Sequence, residues 1–160
     1  MVVINSPHNP TGTTLALSDM HELERLAVDH DLIVLSDEVY EHIIFDGQPH
    51  LSLLTEPELY ARSFVISSFG KTYHTTGWKI GWMSGPEPLV TAARTAKQFL
   101  TYVNWAPFQP AIAVGLGLPD TYFARLAGDL PPAARAETPA APAIPGRPEP
   151  EADRRGAASG

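Results

Sequence analysis

The chain has 160 residues, enough for one domain of ordinary size or part of a larger one, and its 44% apolar residues suffice for a packed core. The formal net charge is −7 and no run of lysine or arginine stands out, which argues against a nucleic acid or an anionic membrane as partner. The absence of cysteine excludes disulfide scaffolds, zinc–thiolate sites and cysteine nucleophiles, and is compatible with a cytoplasmic protein.

Short apolar runs alternate with amphipathic stretches along the first 130 residues. Four runs predict strands, at residues 2–5, 32–36, 63–67 and 80–84. Helices are predicted after Ser18, which can act as an N-cap, and over residues 88–103, 108–116 and 120–126. No apolar run approaches the roughly 20 residues of a membrane-spanning helix, and the N-terminus lacks the features of a signal peptide. The alternation predicts an α/β fold with a mainly parallel sheet.

The last thirty residues differ in composition from the rest of the chain. Residues 131–160 contain seven prolines, nine alanines and three glycines, no aromatic residue, and Ile144 as their one large aliphatic side chain. Such a segment cannot bury enough apolar surface to offset the entropy lost on ordering. We therefore predict a domain region at residues 1–130 and a disordered tail at 131–160.

Polar side chains follow three of the predicted strands, at the point where each strand ends. They are Asn9 after the first strand, Asp37 and Tyr40 after the second, and Ser67, Ser68 and Lys71 after the third. Taken singly, each has an ordinary interpretation as a turn residue, a helix cap, a strand end or a solvated charge. Because ligands bind outside the carboxyl ends of parallel strands, their joint occurrence predicts a site built from an amide, a carboxylate, a phenol and an amine.

Other kinds of site have weaker support in the sequence. Glu38 and His42 are four residues apart and would share one face of a helix, but no third ligand accompanies them, so we predict no metal site. The sequence has neither a GxGxxG motif nor a GxxxxGK phosphate loop. Ser67 and Ser68 lack a GxSxG setting, which argues against a hydrolase nucleophile.

Three segments together resemble the class I aminotransferases of the pyridoxal-phosphate fold type I superfamily. They are the NSPHNPTG segment at residues 5–12, SDEVY at residues 36–40, and SSFGKTYHTTGWKIGW at residues 67–82. The last segment is most similar to the methionine and kynurenine aminotransferase branch. The resemblance runs from about residue 2 to residue 130. It implies part of a three-layer α/β/α large domain and transfer of an amino group between an L-amino acid and a 2-oxo acid.

The resemblance also implies a role for each matching residue. Lys71 would form the Schiff base with the cofactor aldehyde and then carry the proton between Cα and C4′. Asp37 would keep the pyridine nitrogen protonated, which lets the ring accept electrons. Asn9 and Tyr40 would hydrogen-bond the phenolic oxygen of the ring. The phosphate would bind Ser68 and Lys79, where many relatives have arginine in place of the lysine.

Family members are much longer than this chain and act as homodimers. The resemblance therefore implies that the rest of the phosphate site and the substrate-binding arginine are missing, so we expect a truncated chain that is inactive alone. The tail composition is what out-of-frame reading of a GC-rich gene would give, with a genuine tail as the alternative. A β-lyase on the same cofactor and a non-catalytic fragment remain open, because the matching residues do not choose between transfer and elimination.

Overall fold

A four-stranded, mainly parallel sheet forms the centre of the protein in the computed structural model, which describes residues 1–45, 47–103 and 105–129. The strands are β1 (Val2–Asn5), β2 (Val34–Asp37), β3 (Ser63–Ser68) and β4 (Gly81–Ser84), and they lie in that order in the sheet. The first three strands are parallel and β4 pairs antiparallel with β3. The predicted strands and the mainly parallel sheet are confirmed, and the predicted tail at 131–160 lies outside the described residues.

Helices and short 3-10 turns connect the strands and continue after them. The helices among the described residues are α1 (Leu17–Asp29), α2 (Pro57–Tyr60), α3 (Phe69–Thr72), α4 (Glu87–Leu100), α5 (Gln109–Leu116) and α6 (Asp120–Asp129). The 3-10 turns lie at Leu53–Thr55, Thr76–Trp78 and Ala106–Phe108. No helix in the described ranges is long and apolar enough to cross a membrane.

The start of α1 differs from the prediction. Ser18 was expected to cap this helix, but Ala16 occupies the N-cap position and Ser18 lies in the first turn. The Asp19 carboxylate accepts the backbone N–H of Ala16 at 2.9 Å, so an acidic residue inside the helix stabilises its start. A carboxylate in the first turn also interacts favourably with the helix dipole.

The hydrophobic core lies between the sheet and helices α1 and α2. Its fully buried members are Met20, Ala27, Val34, Leu53, Leu59 and Val65. Along β3 the odd-numbered residues are buried and the even-numbered residues are half-buried, so the two faces of the sheet differ in burial. One well-packed face therefore holds β2 and β3 in the register that sets the positions of their carboxyl ends.

Candidate active site

The carboxyl ends of the three parallel strands meet at one edge of the sheet. Asn5 at the end of β1 is in register with Asp37 at the end of β2. The Asn5 side chain donates from Nδ2 to the Asp37 carbonyl at 2.9 Å, and its Oδ1 accepts the backbone N–H of Asn9 at 2.9 Å. Asn5 therefore fixes the loop that carries Asn9 against the end of β2, at the edge where ligands bind to parallel sheets.

Three of the predicted site residues contact one another at this edge. The Asn9 side chain donates from Nδ2 to the Tyr40 hydroxyl at 3.1 Å. The Lys71 ammonium lies over the Tyr40 ring, 5.5 Å from the ring centroid. A cation in this position is attracted by the ring quadrupole, so Tyr40 contacts both of its predicted neighbours. The structure thus brings together an amide, a phenol and an amine.

Asp37 closes β2 beside these three residues. Its side chain is half-buried, and Oδ1 accepts the backbone N–H of Val39 at 3.2 Å. The interpretation of Asp37 as a helix cap is wrong, because residues 39–42 form turns and not a helix. The carboxylate instead caps the turn that follows β2. A half-buried carboxylate of this kind is well suited to a cationic group of a ligand.

Ser68 and Lys79, the two residues predicted to bind phosphate, lie before and after α3 in the chain. The Ser68 hydroxyl accepts the backbone N–H of Gly70 at 3.0 Å and donates to the Ile80 carbonyl at 3.3 Å. Lys79 follows the Thr76–Trp78 turn, is exposed, and has a left-handed backbone with φ of 53°. The hydroxyl therefore links the start of α3 to the residue that follows Lys79.

Tyr73, which directly follows α3, and Tyr122 of α6 pack beside the helical turn that carries Lys71. The Tyr122 hydroxyl donates to the Thr72 carbonyl at 3.0 Å, and the Tyr73 hydroxyl donates to the Gly115 carbonyl at 2.9 Å. The Tyr73 ring is stacked on Tyr122, with centroids 5.5 Å apart. Burial, together with nearby Tyr122 and Glu41, raises the pKa of Tyr73. These contacts attach the helical turn that carries Lys71 to helices α5 and α6.

Glu38, which lies between Asp37 and Tyr40 in the sequence, is the centre of a buried hydrogen-bond network with Ser36, His50 and Leu53. Glu38 is 1% exposed; its Oε2 accepts from His50 Nε2 at 2.7 Å, and its Oε1 accepts from the Ser36 hydroxyl and the Leu53 backbone N–H. Burial raises the pKa of Glu38, but hydrogen bonds from His50, Ser52 and Leu53 outweigh it and hold the pKa below its ordinary value. This network was missed in the sequence because no local spacing joins Glu38 to His50.

Glu38 and His42, the two residues weighed as metal ligands in the sequence, have different partners in the structure. Glu38 pairs with His50, whereas His42 packs on the Phe123 ring, with centroids 4.5 Å apart, and burial lowers the pKa of His42. Glu38, Glu41 and His50 place ligand atoms within 4.8 Å of one another, a grouping that could hold a metal ion. Each has a hydrogen-bond partner within the protein, and the expectation of no metal site stays a prediction.

The lowered pKa of Glu38 makes the free energy of unfolding depend on pH. An unfolded glutamate titrates near 4.5, whereas the folded pKa of Glu38 lies below that value. The carboxylate therefore contributes stability above pH 4.5, and this contribution is lost as the pH falls through the folded pKa. Glu38→Gln should cost about 3 kcal/mol at neutral pH and progressively less in acid.

Urea unfolding midpoints measured between neutral pH and pH 3 would test this expectation. The exposed Glu58 on α2 offers the matched control, because Glu58→Gln should follow the wild-type pH profile. A Glu38→Gln curve that runs parallel to the wild type at every pH would show that the carboxylate charge does not stabilise the fold.

Comparison with known proteins agrees with the resemblance drawn from the three motifs. A family model described as aminotransferase class I and II matches residues 1–124. Methionine aminotransferase from Escherichia coli (strain K12) is 44% identical over 113 residues, which cover 71% of this chain and 29% of that protein. Kynurenine–oxoglutarate transaminase 3 from Homo sapiens is 34% identical over 136 residues, which cover 81% of this chain and 30% of that protein.

A solved structure extends the comparison to the fold. N-succinyldiaminopimelate aminotransferase from Mycobacterium tuberculosis superposes with a TM-score of 0.76 at 46% identity, covering 79% of this chain and 33% of that structure. The fold is thus that of the fold type I enzymes, with its mainly parallel sheet. The chain belongs to the class I and II aminotransferase family, a family of pyridoxal phosphate-dependent transaminases. It spans about a third of the length of the curated relatives it matches.

Proposed function

We propose that this chain holds pyridoxal phosphate at the carboxyl edge of its sheet and serves amino transfer from an L-amino acid to a 2-oxo acid. The observation that carries the proposal is the meeting of Asn9, Tyr40 and Lys71 beside Asp37. These residues come from three different strand ends, and their amide, phenol, amine and carboxylate match the chemical groups of this cofactor. Family membership supports the same assignment.

Each residue has a defined task in this proposal. Bound pyridoxal phosphate supplies an aldehyde carbon and an electron-accepting pyridinium ring. Lys71 holds the cofactor covalently and moves a proton at its amine. Asp37 keeps the pyridine nitrogen protonated, because a carboxylate beside that nitrogen favours its charged form. Asn9 and Tyr40 orient the ring oxygen through the amide and phenol that already contact each other.

Ser68 and Lys79 bind the cofactor phosphate in this proposal. The Ser68 hydroxyl lies at the start of α3, three residues before Lys71, and it would donate its proton to the phosphate in place of the Ile80 carbonyl, to which it donates at 3.3 Å. Lys79 lies at the surface on a neighbouring turn. Its ammonium acts as a point charge toward phosphate, which requires no two-pronged geometry.

The amino donor is a methionine-like or aromatic amino acid in this proposal. Relatives named for methionine and kynurenine support that class, while the 46% identical relative is named for N-succinyldiaminopimelate, which makes that compound the main competitor. The −7 net charge argues against a nucleic acid or an anionic membrane as partner, and the absence of cysteine is compatible with the cytoplasmic location that we propose.

We also propose a homodimer. Large apolar side chains on and after α4 are strongly exposed, including Phe99 at 84% and Leu100 at 81%. Several strongly exposed apolar side chains within one short stretch of chain favour a protein contact there. Arg25 pairs with Glu22 and Asp29, and Arg62 bonds the Ala27 carbonyl, so neither of these two arginines is assigned to the substrate carboxylate.

Mapping the attached cofactor tests the proposal directly. The sequence contains three lysines, Lys71, Lys79 and Lys97, so peptide mass spectrometry can locate cofactor fixed by borohydride without ambiguity. We expect the label on Lys71. Equal labelling of all three lysines, or no label, would refute the site.

Addition of an amino acid to the loaded chain tests the reaction type. L-Methionine, L-phenylalanine, L-kynurenine and N-succinyldiaminopimelate should be compared by the yield of aminated cofactor and matching 2-oxo acid. A cysteine conjugate that instead yields pyruvate and ammonia would identify β-elimination.

A further inference from the structure

Glu38 and Glu41 are the first and last residues of the turn that carries Tyr40. Their side chains attach this turn to different parts of the protein. Glu38 follows Asp37 directly, and Glu41 follows Tyr40 directly. The Glu41 backbone N–H donates to the Glu38 carbonyl at 2.9 Å, which closes the turn between them. Tyr40 is therefore held within a segment whose first and last residues are both acidic.

The first end of this turn is anchored by Glu38. Its backbone N–H donates to the Ile66 carbonyl at 2.8 Å, which continues the pairing of β2 with β3. Its buried carboxylate binds His50, Ser36 and the backbone of Leu53. The position of Glu38 is thus fixed by both main-chain and side-chain contacts, and a hinge motion of the turn at this end would break several hydrogen bonds.

The second end of the turn is joined to β3 by the side chain of Glu41. Its carboxylate accepts the hydroxyl of Ser67, a residue of β3 that is 1% exposed. Ser67 directly precedes Ser68 and is in register with Trp82 of β4, so it lies in the part of β3 that is paired with β4. Hydrogen bonds to a charged acceptor are stronger than those between neutral groups.

We propose that Glu41 is a positioning residue that acts through Tyr40, using its hydrogen bond to Ser67 to hold the Tyr40 ring beneath Lys71 and beside Asn9. This inference rests on the proposed cofactor site. Without the link, the turn keeps its anchor at Glu38 and the packing of His42 on Phe123 but loses the contact of Glu41 with β3, so the distance between the phenol and Lys71 is held less tightly. Glu41 itself touches neither of the two residues that Tyr40 contacts in the described geometry.

The first experiment reads the position of Tyr40 without any cofactor. The five tyrosines of the chain can be nitrated with tetranitromethane and their rates followed by peptide mass spectrometry. Glu41→Gln and Ser67→Ala should each raise the nitration rate of Tyr40 about threefold or more, since either change weakens a charge-assisted hydrogen bond. The rates at Tyr60 and Tyr102, which are already exposed, should not change.

Three results support or overturn this part of the inference. The exposed Glu58→Gln is the matched control, and it should leave Tyr40 at the wild-type rate. An unchanged Tyr40 rate in both Glu41→Gln and Ser67→Ala would overturn the inference. A rise at every tyrosine would also overturn it, because the variants would then loosen the whole fold and not the turn.

The second experiment tests whether the link acts on cofactor binding through Tyr40. The dissociation constant for pyridoxal phosphate should rise about three- to tenfold in Glu41→Gln, a fraction of what a full charged hydrogen bond contributes. In a Tyr40→Phe background the same change should have little further effect, because the group it positions is already altered. If the free-energy effects of Glu41→Gln and Tyr40→Phe on cofactor binding are fully additive while the wild type still binds the cofactor, the positioning role is refuted. The proposed cofactor site is then unaffected.

Two further outcomes separate the possible failures. A wild-type chain that takes no cofactor on Lys71 would refute the proposed function, and the nitration rates would still decide whether Glu41 positions Tyr40. Because Glu41 also lies near Glu38 and His50, every measurement should be repeated in EDTA. If EDTA makes the wild type behave like Glu41→Gln, a bound cation and not the Ser67 link fixes the turn, and the inference is overturned.

Discussion

Replacement of Lys71 by alanine should abolish both covalent capture of pyridoxal phosphate and its amination by an amino acid. Lys71 lies over Tyr40 at the edge where three strands end, and Tyr40 in turn contacts Asn9. Loss of a general base typically lowers a rate ~10²–10⁴-fold, and this change also removes the covalent anchor. Borohydride-fixed cofactor and the yield of aminated cofactor provide the two measurements.

Lys97→Ala is the matched control for this experiment. Lys97 lies on exposed α4, where its ammonium is 3.4 Å from the Tyr102 carbonyl, so its loss should leave cofactor capture unchanged. Retention of more than about a tenth of the amination rate in Lys71→Ala would contradict the assignment of Lys71 as proton carrier, since the expected loss is larger. A label that moves to Lys79 in this variant would show that cofactor binding does not depend on the Lys71 amine.

The strands were predictable from short apolar runs in the sequence. The position of the site was predictable because ligands bind at the carboxyl ends of parallel strands. Val2–Asn5 and the runs around Val34 and Val65 are short, apolar and bounded by polar residues, which is typical of buried parallel strands. Asn9 and Tyr40 are 31 residues apart, yet both follow strands whose carboxyl ends must meet. The parallel topology therefore predicts that Asn9 and Tyr40 lie close together although they are far apart in the sequence.

The direction of β4 and the glutamate network could not be predicted in the same way. An apolar run at residues 80–84 predicts a strand but not its direction, which depends on how the connection through α3 and the Thr76–Trp78 turn packs. His50 meets Glu38 across 12 residues of irregular chain, and Ser67 meets Glu41 across 26 residues. Neither contact follows from periodicity, because no regular element fixes the separation.

Replacement of Asp37 should preserve part of the cofactor binding but remove most of the amination rate. In the proposed site, the Asp37 carboxylate would stabilise the positive charge of the cofactor's pyridinium ring, a role that requires a negative charge. Loss of one such electrostatic contact costs on the order of 10²-fold in rate. We therefore expect Asp37→Ala to bind pyridoxal phosphate more weakly and to aminate it about a hundred times more slowly with L-methionine.

The structure offers a competing explanation for Asp37 that a second variant can separate. Asp37 Oδ1 accepts the Val39 backbone N–H, so Asp37→Ala removes a turn cap as well as a charge. Asp37→Asn keeps an oxygen that can accept the same hydrogen bond but carries no charge. If the charge matters, Asp37→Asn should aminate the cofactor almost as slowly as Asp37→Ala, while its urea unfolding midpoint stays near that of the wild type. Near-normal amination in Asp37→Asn, together with a slow Asp37→Ala, would show that Asp37 only caps the turn, and the pyridine-nitrogen role would then have to be withdrawn.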